Sequence, residues 1–287
     1  MNNILVTGCK GQLGSEIRVI SRSYPQYFFY FTDVKELDIA NKEDIQLYIS
    51  KNNINSIINC AAYTAVDKAE SEPELVNSIN HLAVKYLAEV AKICHCKFIH
   101  ISTDYVFDGR GHKPYIETDI PNPQSIYGKA KLDGELALKE IKPSNSIIIR
   151  TSWVYSSFGN NFVKTMLKLS KERNVLNVID DQIGAPTYAA DLAKLILEIL
   201  PKIVNKEVDV YHYANEGVCS WYDFVKAIFE KKKINCAVYP ITTEQYPTVA
   251  KRPHFSLLNK TKVKEKFDII IPYWKDSLEL CLTKLLI

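Results

Sequence analysis

The sequence lacks several features that would mark a specialised protein class. No apolar run reaches the about 18–20 residues that a membrane-spanning helix needs. Neither sign of charge is in large excess, because the chain has 36 Lys and Arg residues and 33 Asp and Glu residues. Seven cysteines without regular spacing argue against a secreted disulfide scaffold. We therefore expect a cytoplasmic protein that binds neither nucleic acid nor a membrane.

The composition is that of an ordinary globular chain, with 47% hydrophobic and 24% charged residues. Short β-branched or aromatic runs alternate with helical patterns in the first half and predict strands at 3–7, 27–32, 56–59, 97–103 and 146–150. This alternation predicts an α/β fold, a Rossmann-type doubly wound parallel sheet with a smaller C-terminal substrate-binding lobe. We expect a dinucleotide-binding domain over 1–150 and the lobe mainly over 151–287, with later segments returning to the sheet.

Three glycines follow the first predicted strand at the mouth of a predicted helix. Gly8, Gly11 and Gly14 form T-G-x-x-G-x-x-G, one residue longer between the first two glycines than the G-x-G-x-x-G fingerprint. Glycine lets backbone N–H groups approach a pyrophosphate, and the helix N-terminus adds partial positive charge. The alternative is a glycine-rich surface turn. The flanking strand and helix favour a dinucleotide site.

An acidic residue supports this site. Asp33 follows the second predicted strand, where a carboxylate can accept hydrogen bonds from the adenosine ribose. This argues for NADH, because the 2′-phosphate of NADPH would be repelled unless Lys35 or Arg18 compensates. Alternatively, Asp33 terminates the strand and binds no ligand. The further candidate cofactor-binding residues are Gln12, Leu13, Asp38, Ile39, Ala61, Ala62 and Tyr63.

A tyrosine and a lysine form the predicted chemical centre. Tyr127 and Lys131 are four residues apart in Y-G-K-A-K, which places them on one face of a helix. A free phenol has a pKa of about 10, and a neighbouring ammonium lowers it toward the useful range. Thr103 and Asp104 lie at the carboxyl end of a predicted strand, where ligands of parallel sheets bind. We predict Tyr127, Lys131 and Thr103 as catalytic residues.

At these residues the chain resembles the extended short-chain dehydrogenases/reductases, and among them the dTDP-4-dehydrorhamnose reductase family. The resemblance covers essentially the whole chain. It rests on T-G-x-x-G-Q-L-G at 7–14, C-A-A-Y-T-A-V-D-K-A-E at 60–70, S-T-D-Y-V-F-D-G at 102–109, N-P-Q-S-x-Y-G-K-x-K at 122–131, R-T-S-W-V-Y at 150–155, D-Q-I-G-A-P-T at 181–187 and K-R-P-x-x-S at 251–256.

The resemblance implies that NADPH or NADH delivers hydride to the C4 ketone of dTDP-4-dehydro-L-rhamnose, the last step of dTDP-rhamnose biosynthesis. Tyr127 would protonate the alkoxide, Lys131 would hold the nicotinamide ribose, and Thr103 would orient the carbonyl. The implied substrate-binding residues are Thr103, Asp104, Trp153, Gln182 and Arg252. Arg252 would clamp the diphosphate. A core indole at 153 and an exposed loop arginine at 252 remain alternatives.

The resemblance also bears on metal binding and assembly. Some members of the resembled family dimerise around a magnesium ion held by glutamates. Glu16 matches one such position, but Ala190 occupies the place of a second. This departure argues against a bound metal, and a monomer and a homodimer both stay open. Cys94, His95 and Cys96 lack a second pair of ligands, so we expect an ordinary buried turn there.

Two other functions are open at this point. A nucleotide-sugar dehydratase or epimerase is the first, but dehydratases typically carry Asp-Glu after the threonine, and here Tyr105 follows Asp104. A non-catalytic regulatory subunit that resembles the methionine adenosyltransferase β subunit is the second. Such a subunit would bind the dinucleotide and act through a partner surface. The complete set of Thr103, Tyr127 and Lys131 favours catalysis.

Overall fold

A computed structural model describes residues 2–285 of the chain. Its strands are β1 (Asn2–Thr7), β2 (Tyr27–Phe31), β3 (Ser56–Asn59), β4 (Lys97–Thr103), β5 (Ser146–Thr151), β6 (Val154–Tyr155), β7 (Val175–Ile179), β8 (Ile183–Gly184), β9 (Thr187–Tyr188), β10 (Asp209–Tyr213), β11 (Cys219–Ser220) and β12 (Ala237–Ile241). Its α-helices are α1 (Gln12–Ile20), α2 (Lys42–Lys51), α3 (Val66–Ala69), α4 (Pro73–Asn77), α5 (Ala83–Ile93), α6 (Ile126–Ile141), α7 (Phe162–Glu172), α8 (Ala189–Ile199), α9 (Trp221–Lys232), α10 (Thr261–Phe267) and α11 (Trp274–Lys284). A π-helical turn, Ser78–Leu82, joins α4 to α5.

Within residues 2–285, six strands form one parallel sheet in the order β10-β5-β4-β3-β1-β2. The chain runs outward from β1 to β2 and then crosses back to β3 on the other side of β1. This reversal creates a crevice at the carboxyl ends of β1 and β3, where open α/β sheets bind ligands. The predicted Rossmann-type α/β fold is confirmed.

Side chains that alternate along the strands build a hydrophobic core on each face of the sheet. Ile4 and Val6 of β1 pack with α1 and α8 on one face. Leu5 points to the other face and packs with residues of α2, α5 and α6. Because both faces are covered by helices, the strands are continuous apolar runs rather than alternating polar and apolar ones.

A further hydrophobic cluster is built from later segments of the chain. It unites α7, α9 and α11 with β7 and β12, which pair in parallel with each other. Trp274 and Phe224 lie at its centre. Residues 209–213, by contrast, form β10 at the edge of the main sheet. The chain after residue 151 therefore contributes both to the sheet and to a separate core.

Local caps explain where the helices next to the site begin. The hydroxyl of Ser125 accepts a hydrogen bond from the N–H of Gly128 and caps α6. Ser220 and Asp223 form a reciprocal capping box at the start of α9.

None of the helices in residues 2–285 has both the length and the apolar character that crossing a bilayer requires.

Candidate active site

The fold brings three of the predicted chemical residues together at the end of β4. Thr103 is the last residue of β4, and Tyr127 lies on the first turn of α6 with 9% of its surface exposed. The Thr103 hydroxyl lies close enough to the Tyr127 phenol to lower its pKa. The Thr103 hydroxyl also donates to Asp104 Oδ1 at 3.0 Å. The ring of Tyr105 packs edge-on against Tyr127, with centroids 5.5 Å apart.

The electrostatics of Tyr127 differ from the expectation drawn from the sequence. Burial raises the pKa of Tyr127 to about 12, and Asp104 raises it too, whereas the Thr103 hydrogen bond lowers it. The prediction that this pKa is lowered is wrong, because burial outweighs the lowering effects. The Nζ of Lys131 donates to the carbonyl oxygen of Ile101 at 2.6 Å. Tyr127 therefore stays protonated at neutral pH, which is the state a proton donor needs.

Lys131 lies on the same buried face of α6 as Tyr127, as their spacing predicts. Burial lowers the pKa of Lys131 to about 8, while Glu135 raises it. The Glu135 carboxylate is bound by the Arg150 guanidinium at 2.7 Å, which offsets its charge. The lysine amine is thus close to its titration range at neutral pH.

Asp104 is a buried carboxyl group beside these residues. Burial raises the pKa of Asp104 to about 6, while the nearby hydroxyl groups of Ser256 and Thr103 lower it. Among the described residues, Asp104 Oδ2 and the Ser256 hydroxyl lack a partner at normal hydrogen-bond geometry, although they lie close enough to influence each other. Both atoms are therefore free to bind the hydroxyl groups of a sugar. Ser256 belongs to the K-R-P-x-x-S motif, but its sequence position alone predicted no role for it.

The glycine turn fits the pyrophosphate of a dinucleotide. Gly8 adopts φ +63°, and a Cβ there would lie 2.7 Å from the backbone of Ala61. Gly11 begins α1, and a Cβ there would meet only the Gly8 carbonyl oxygen within 4 Å. In the described chain, α1 has neither a side-chain cap nor an acidic residue in its first turn. Its first N–H groups are thus available to an anion.

The neighbours of the glycine turn differ in what they present to this cleft. Gln12 Nε2 donates to the Val154 carbonyl oxygen at 3.3 Å, so it ties the turn to the segment after β5. Leu13 is buried in the core against the sheet, which leaves only its backbone facing a ligand. Asp33 Oδ2 accepts the N–H of Lys10 at 3.3 Å, which places this carboxylate beside the turn.

The remaining cofactor candidates lie on two loops. Asp38 is exposed and accepts the N–H of Ala40 within its own loop, and Ile39 packs against the core on the α2 and α5 side of the sheet. Ala61 approaches Gly8, with Ala62 and Tyr63 next along the chain after β3. These contacts join Ala61 to the glycine turn but do not join Asp38 to it.

Tyr63 is held in place by a residue that sequence reasoning missed. Asn80 accepts the N–H of Tyr63 at 2.9 Å and donates to its carbonyl oxygen at 3.0 Å. The Tyr63 hydroxyl bonds Glu72. Asn80 lies in the π-helical turn between α4 and α5. Nothing in the spacing of apolar residues marks such a turn.

On the substrate side, Trp153 is a constrained aromatic residue. It adopts φ +49°, a left-handed conformation that is unusual outside glycine, and its indole stacks on Trp221. Trp221 Nε1 donates to Gln182 Oε1 at 3.2 Å, and Gln182 Nε2 donates to Thr243. Sequence reasoning missed Trp221, because it lies 68 residues after Trp153. The predicted pair Trp153 and Gln182 is thus joined through Trp221.

A cavity of about 810 Å³ opens beside this aromatic pair. Gln182, Trp221 and Arg252 are among its lining residues. The Arg252 guanidinium binds Asp67 through two hydrogen bonds of 2.6 and 3.0 Å. The same pairing lowers the pKa of Asp67. The Arg252 guanidinium thus lies at the cavity wall, where it is already paired with the Asp67 carboxylate of this chain.

Glu16, which matches a magnesium-binding position in some relatives, makes contacts within this chain. The buried Glu16 accepts a hydrogen bond from Ser156 at 2.6 Å, and its second oxygen lies 3.8 Å from Lys284 Nζ. Ala190 packs against the cluster formed by α7, α9 and α11. Residues 2–285 contain no group of three or more His, Cys, Asp or Glu side chains arranged to hold a metal ion.

Known proteins match this chain along its whole length. The family described as RmlD substrate binding domain matches residues 1–287. A dTDP-4-dehydrorhamnose reductase from Aggregatibacter actinomycetemcomitans is 43% identical over 97% of this chain and 98% of its own. A solved dTDP-4-dehydrorhamnose reductase from Clostridium acetobutylicum is 41% identical, with a TM-score of 0.93 over 98% of both chains. The Bacillus anthracis enzyme, solved with NADP, is 37% identical, with a TM-score of 0.94 over 99% of this chain and 100% of its own.

Proposed function

The chain belongs to the RmlD substrate binding domain family, and on that basis we propose that it reduces the C4 ketone of dTDP-4-dehydro-L-rhamnose to form dTDP-L-rhamnose. The reductant is NADPH or NADH, and the reaction is the last step of dTDP-rhamnose biosynthesis. One observation carries the proposal most directly. Thr103, Asp104 and a protonated Tyr127 meet at the carboxyl end of β4, in a chain whose glycine turn fits a dinucleotide.

Each catalytic residue has a role that follows from its contacts. Bound NADPH or NADH supplies the hydride. Thr103 orients the ketone oxygen, and Tyr127 holds the proton that the developing alkoxide takes up. Lys131 is buried beside the end of β4, and the resemblance to the reductase family supports a role for its side-chain nitrogen in binding the nicotinamide ribose. Asp104 contacts the sugar, because its buried Oδ2 keeps a free acceptor position.

The later segments of the chain bind the sugar nucleotide. We assign residues 1–150 mainly to the dinucleotide and 151–287 mainly to the sugar nucleotide. Trp153 and Gln182 form the sugar side of the cavity through Trp221. Arg252 releases Asp67 and takes the diphosphate, since phosphate oxygens match the same guanidinium fork. Until the substrate binds, the Asp67 carboxylate pairs with the positive charge of Arg252.

The proposed function also bears on the cellular compartment and the partners of the protein. All seven cysteines are free thiols, which fits a reduced, cytoplasmic compartment. The sugar nucleotide is the partner, and neither nucleic acid nor a membrane surface is required. The protein acts as a monomer or a homodimer.

The proposal is tested with a panel of dTDP- and UDP-linked 4-keto sugars, each supplied with NADPH and with NADH. Consumption of reduced cofactor at 340 nm, with dTDP-L-rhamnose as product, is the expected result for the dTDP-linked substrate. Binding of either dinucleotide without turnover of any sugar would instead indicate a non-catalytic regulatory subunit. Loss of water from a 4-hydroxy substrate would indicate a dehydratase. Either result contradicts the proposal.

A further inference from the structure

A carboxylate from a distant segment holds the N-terminus of the helix that carries Tyr127. Glu70 lies at the end of the short helix α3, and its Oε1 accepts the N–H of Ile126 at 2.9 Å. Ile126 is the first residue of α6, so its N–H group has no acceptor within the helix. The two partners are 56 residues apart in the chain. Glu70 therefore adds a second cap to α6, besides that of Ser125.

Tyr127 lies between two residues whose positions are fixed. Ile126, before it, is held by the carboxylate of α3. Gly128, after it, packs directly on backbone, because a Cβ there would lie only 2.3 Å from the Tyr105 carbonyl oxygen. A change at either contact would move the first turn of α6, and the phenol of Tyr127 would move with it.

Helix α3 can hold α6 in place because α3 is itself anchored on two sides. On one side, Ala69 is fully buried in the same hydrophobic cluster as Tyr127. On the other side, Asp67 binds the Arg252 guanidinium and also accepts the N–H of Ala250 at 3.1 Å. A helix of four residues has little stability of its own, so these contacts determine where it lies.

We propose that Glu70 is a positioning residue, which holds the first turn of α6 so that the Tyr127 hydroxyl stays aligned with Thr103 and the ketone. The inference rests on the proposed role of Tyr127 as the proton donor. Glu70 acts through the N–H of Ile126 and not on the substrate. Because a displacement of about 1 Å can cost about 100-fold in rate, loss of this cap should lower kcat more than it weakens the binding of either ligand.

The first test needs no substrate and follows the full-length protein by nuclear magnetic resonance. The Ile126 amide is expected to exchange its hydrogen about tenfold more slowly than an unstructured amide. In Glu70→Ala this protection should be lost, and the ring resonances of Tyr127, assigned with Tyr127→Phe, should shift. An unprotected Ile126 amide in the unaltered protein, or Tyr127 resonances that do not respond to Glu70→Ala, overturns the proposal.

Two conservative variants separate the hydrogen bond from the charge of the carboxylate. Glu70→Gln loses the charge but keeps an oxygen that can accept the N–H of Ile126. Glu70→Asp keeps the charge, but its side chain is one methylene shorter and its oxygen no longer reaches that N–H group. We expect Glu70→Gln to match the unaltered protein and Glu70→Asp to resemble Glu70→Ala. The reverse order would show that charge rather than position matters, and it contradicts the proposal.

The kinetic test measures kcat and KM of these variants with dTDP-4-dehydro-L-rhamnose and NADPH. Glu70→Ala is expected to lower kcat about tenfold, while KM for each substrate changes by less than about twofold. Glu70→Gln should restore kcat to within about twofold of the unaltered protein. A loss that appears in KM alone, or a Glu70→Gln variant as slow as Glu70→Ala, contradicts the proposal.

A control variant distinguishes positioning from a loss of stability. Asn41 caps α2 by accepting the N–H groups of Glu43 and Asp44 at 3.1 and 3.3 Å. Asn41→Ala removes a helix cap of a similar kind, so it should lower Tm as Glu70→Ala does but leave kcat unchanged. An equal loss of kcat in both variants would mean that stability controls turnover, which overturns the proposal.

The proposed function and this inference fail in different experiments. If the unaltered protein turns over no sugar nucleotide, the proposed function fails, yet the Ile126 exchange and the Tyr127 resonances still decide whether Glu70 positions α6. If Glu70→Ala does not fold, the comparison of Glu70→Asp with Glu70→Gln decides it by the same two measurements.

Discussion

The indole rings of Trp153 and Trp221 lie face to face, with centroids 3.6 Å apart and planes 11° from parallel. Trp153 follows β5 of the main sheet, whereas Trp221 begins α9, which belongs to the separate core of later segments. The stack therefore joins the two parts of the molecule at the wall of the cavity. It also holds Trp153 in its left-handed backbone conformation, which costs about 1–3 kcal/mol for a non-glycine residue.

We expect Trp221→Leu to raise KM for the sugar nucleotide about three- to tenfold, because an aromatic pair contributes about 0.5–1.5 kcal/mol beyond burial. The kcat value should change little, since the pair touches no reacting atom. Trp221→Phe keeps an aromatic ring and is the matched control. Equal effects of Leu and Phe on KM would show that stacking does not matter here.

Tyr127→Phe removes the proton donor without changing the shape of the ring. We expect kcat to fall by a factor of about 10²–10⁴, while dinucleotide affinity, measured by fluorescence titration, stays close to that of the unaltered protein. Tyr155→Phe is the control, because the buried Tyr155 hydroxyl has no hydrogen-bond partner among the described residues. Unchanged turnover in Tyr127→Phe would refute the assigned proton donor.

Two alanine substitutions in the glycine turn should separate binding from folding. Gly11→Ala places a methyl group 3.2 Å from the Gly8 carbonyl oxygen at the N-cap of α1, so we expect dinucleotide affinity to fall about tenfold while the free energy of unfolding falls by only about 0.5 kcal/mol. Gly14→Ala places a Cβ 2.5 Å from the Gly8 carbonyl oxygen. Its free energy of unfolding should therefore fall by about 1–3 kcal/mol. Denaturant unfolding and dinucleotide titration of both variants check this difference, and the reverse pattern would contradict it.

The stability of the protein should depend on pH through Asp104. Burial raises its pKa to about 6, so the folded protein holds this proton more tightly than the unfolded chain does. The contribution of Asp104 to the free energy of unfolding is complete below the unfolded pKa of about 3.9 and is lost as pH rises through about 6. Asp104→Asn stays neutral and keeps an oxygen for the Thr103 hydroxyl.

Relative to the unaltered protein, we therefore expect Asp104→Asn to gain about 2 kcal/mol of unfolding free energy between about pH 4 and about pH 7. Urea unfolding of both proteins at the two pH values measures this gain. The comparison at the lower pH is the internal control, because Asp104 is then largely protonated. A difference that does not vary with pH would mean that the carboxyl group is ionised at a normal pKa.

Sequence reasoning predicted well the features that depend on neighbouring residues. The predicted strands at 56–59 and 97–103 match β3 and β4, and Tyr127 and Lys131 share a face of α6 as their spacing predicts. Ser256 and Asn80 were not predicted as site residues, because their importance comes from contacts with residues far away in the chain. The direction of the Tyr127 pKa was wrong, since four-residue spacing shows proximity to Lys131 but not how deeply both side chains are buried.

By itself, the amino-acid order determined the succession of strands and helices, the glycine turn and the shared helix face of Tyr127 and Lys131. These features depend on backbone geometry and on side-chain periods that operate within a few residues. Only the tertiary structure decided the direction in which the pKa values of Tyr127, Lys131 and Asp104 shift and the stacking of Trp153 on Trp221. Those properties depend on loss of water and on hydrogen bonds between distant segments, and both arise only when the chain has folded.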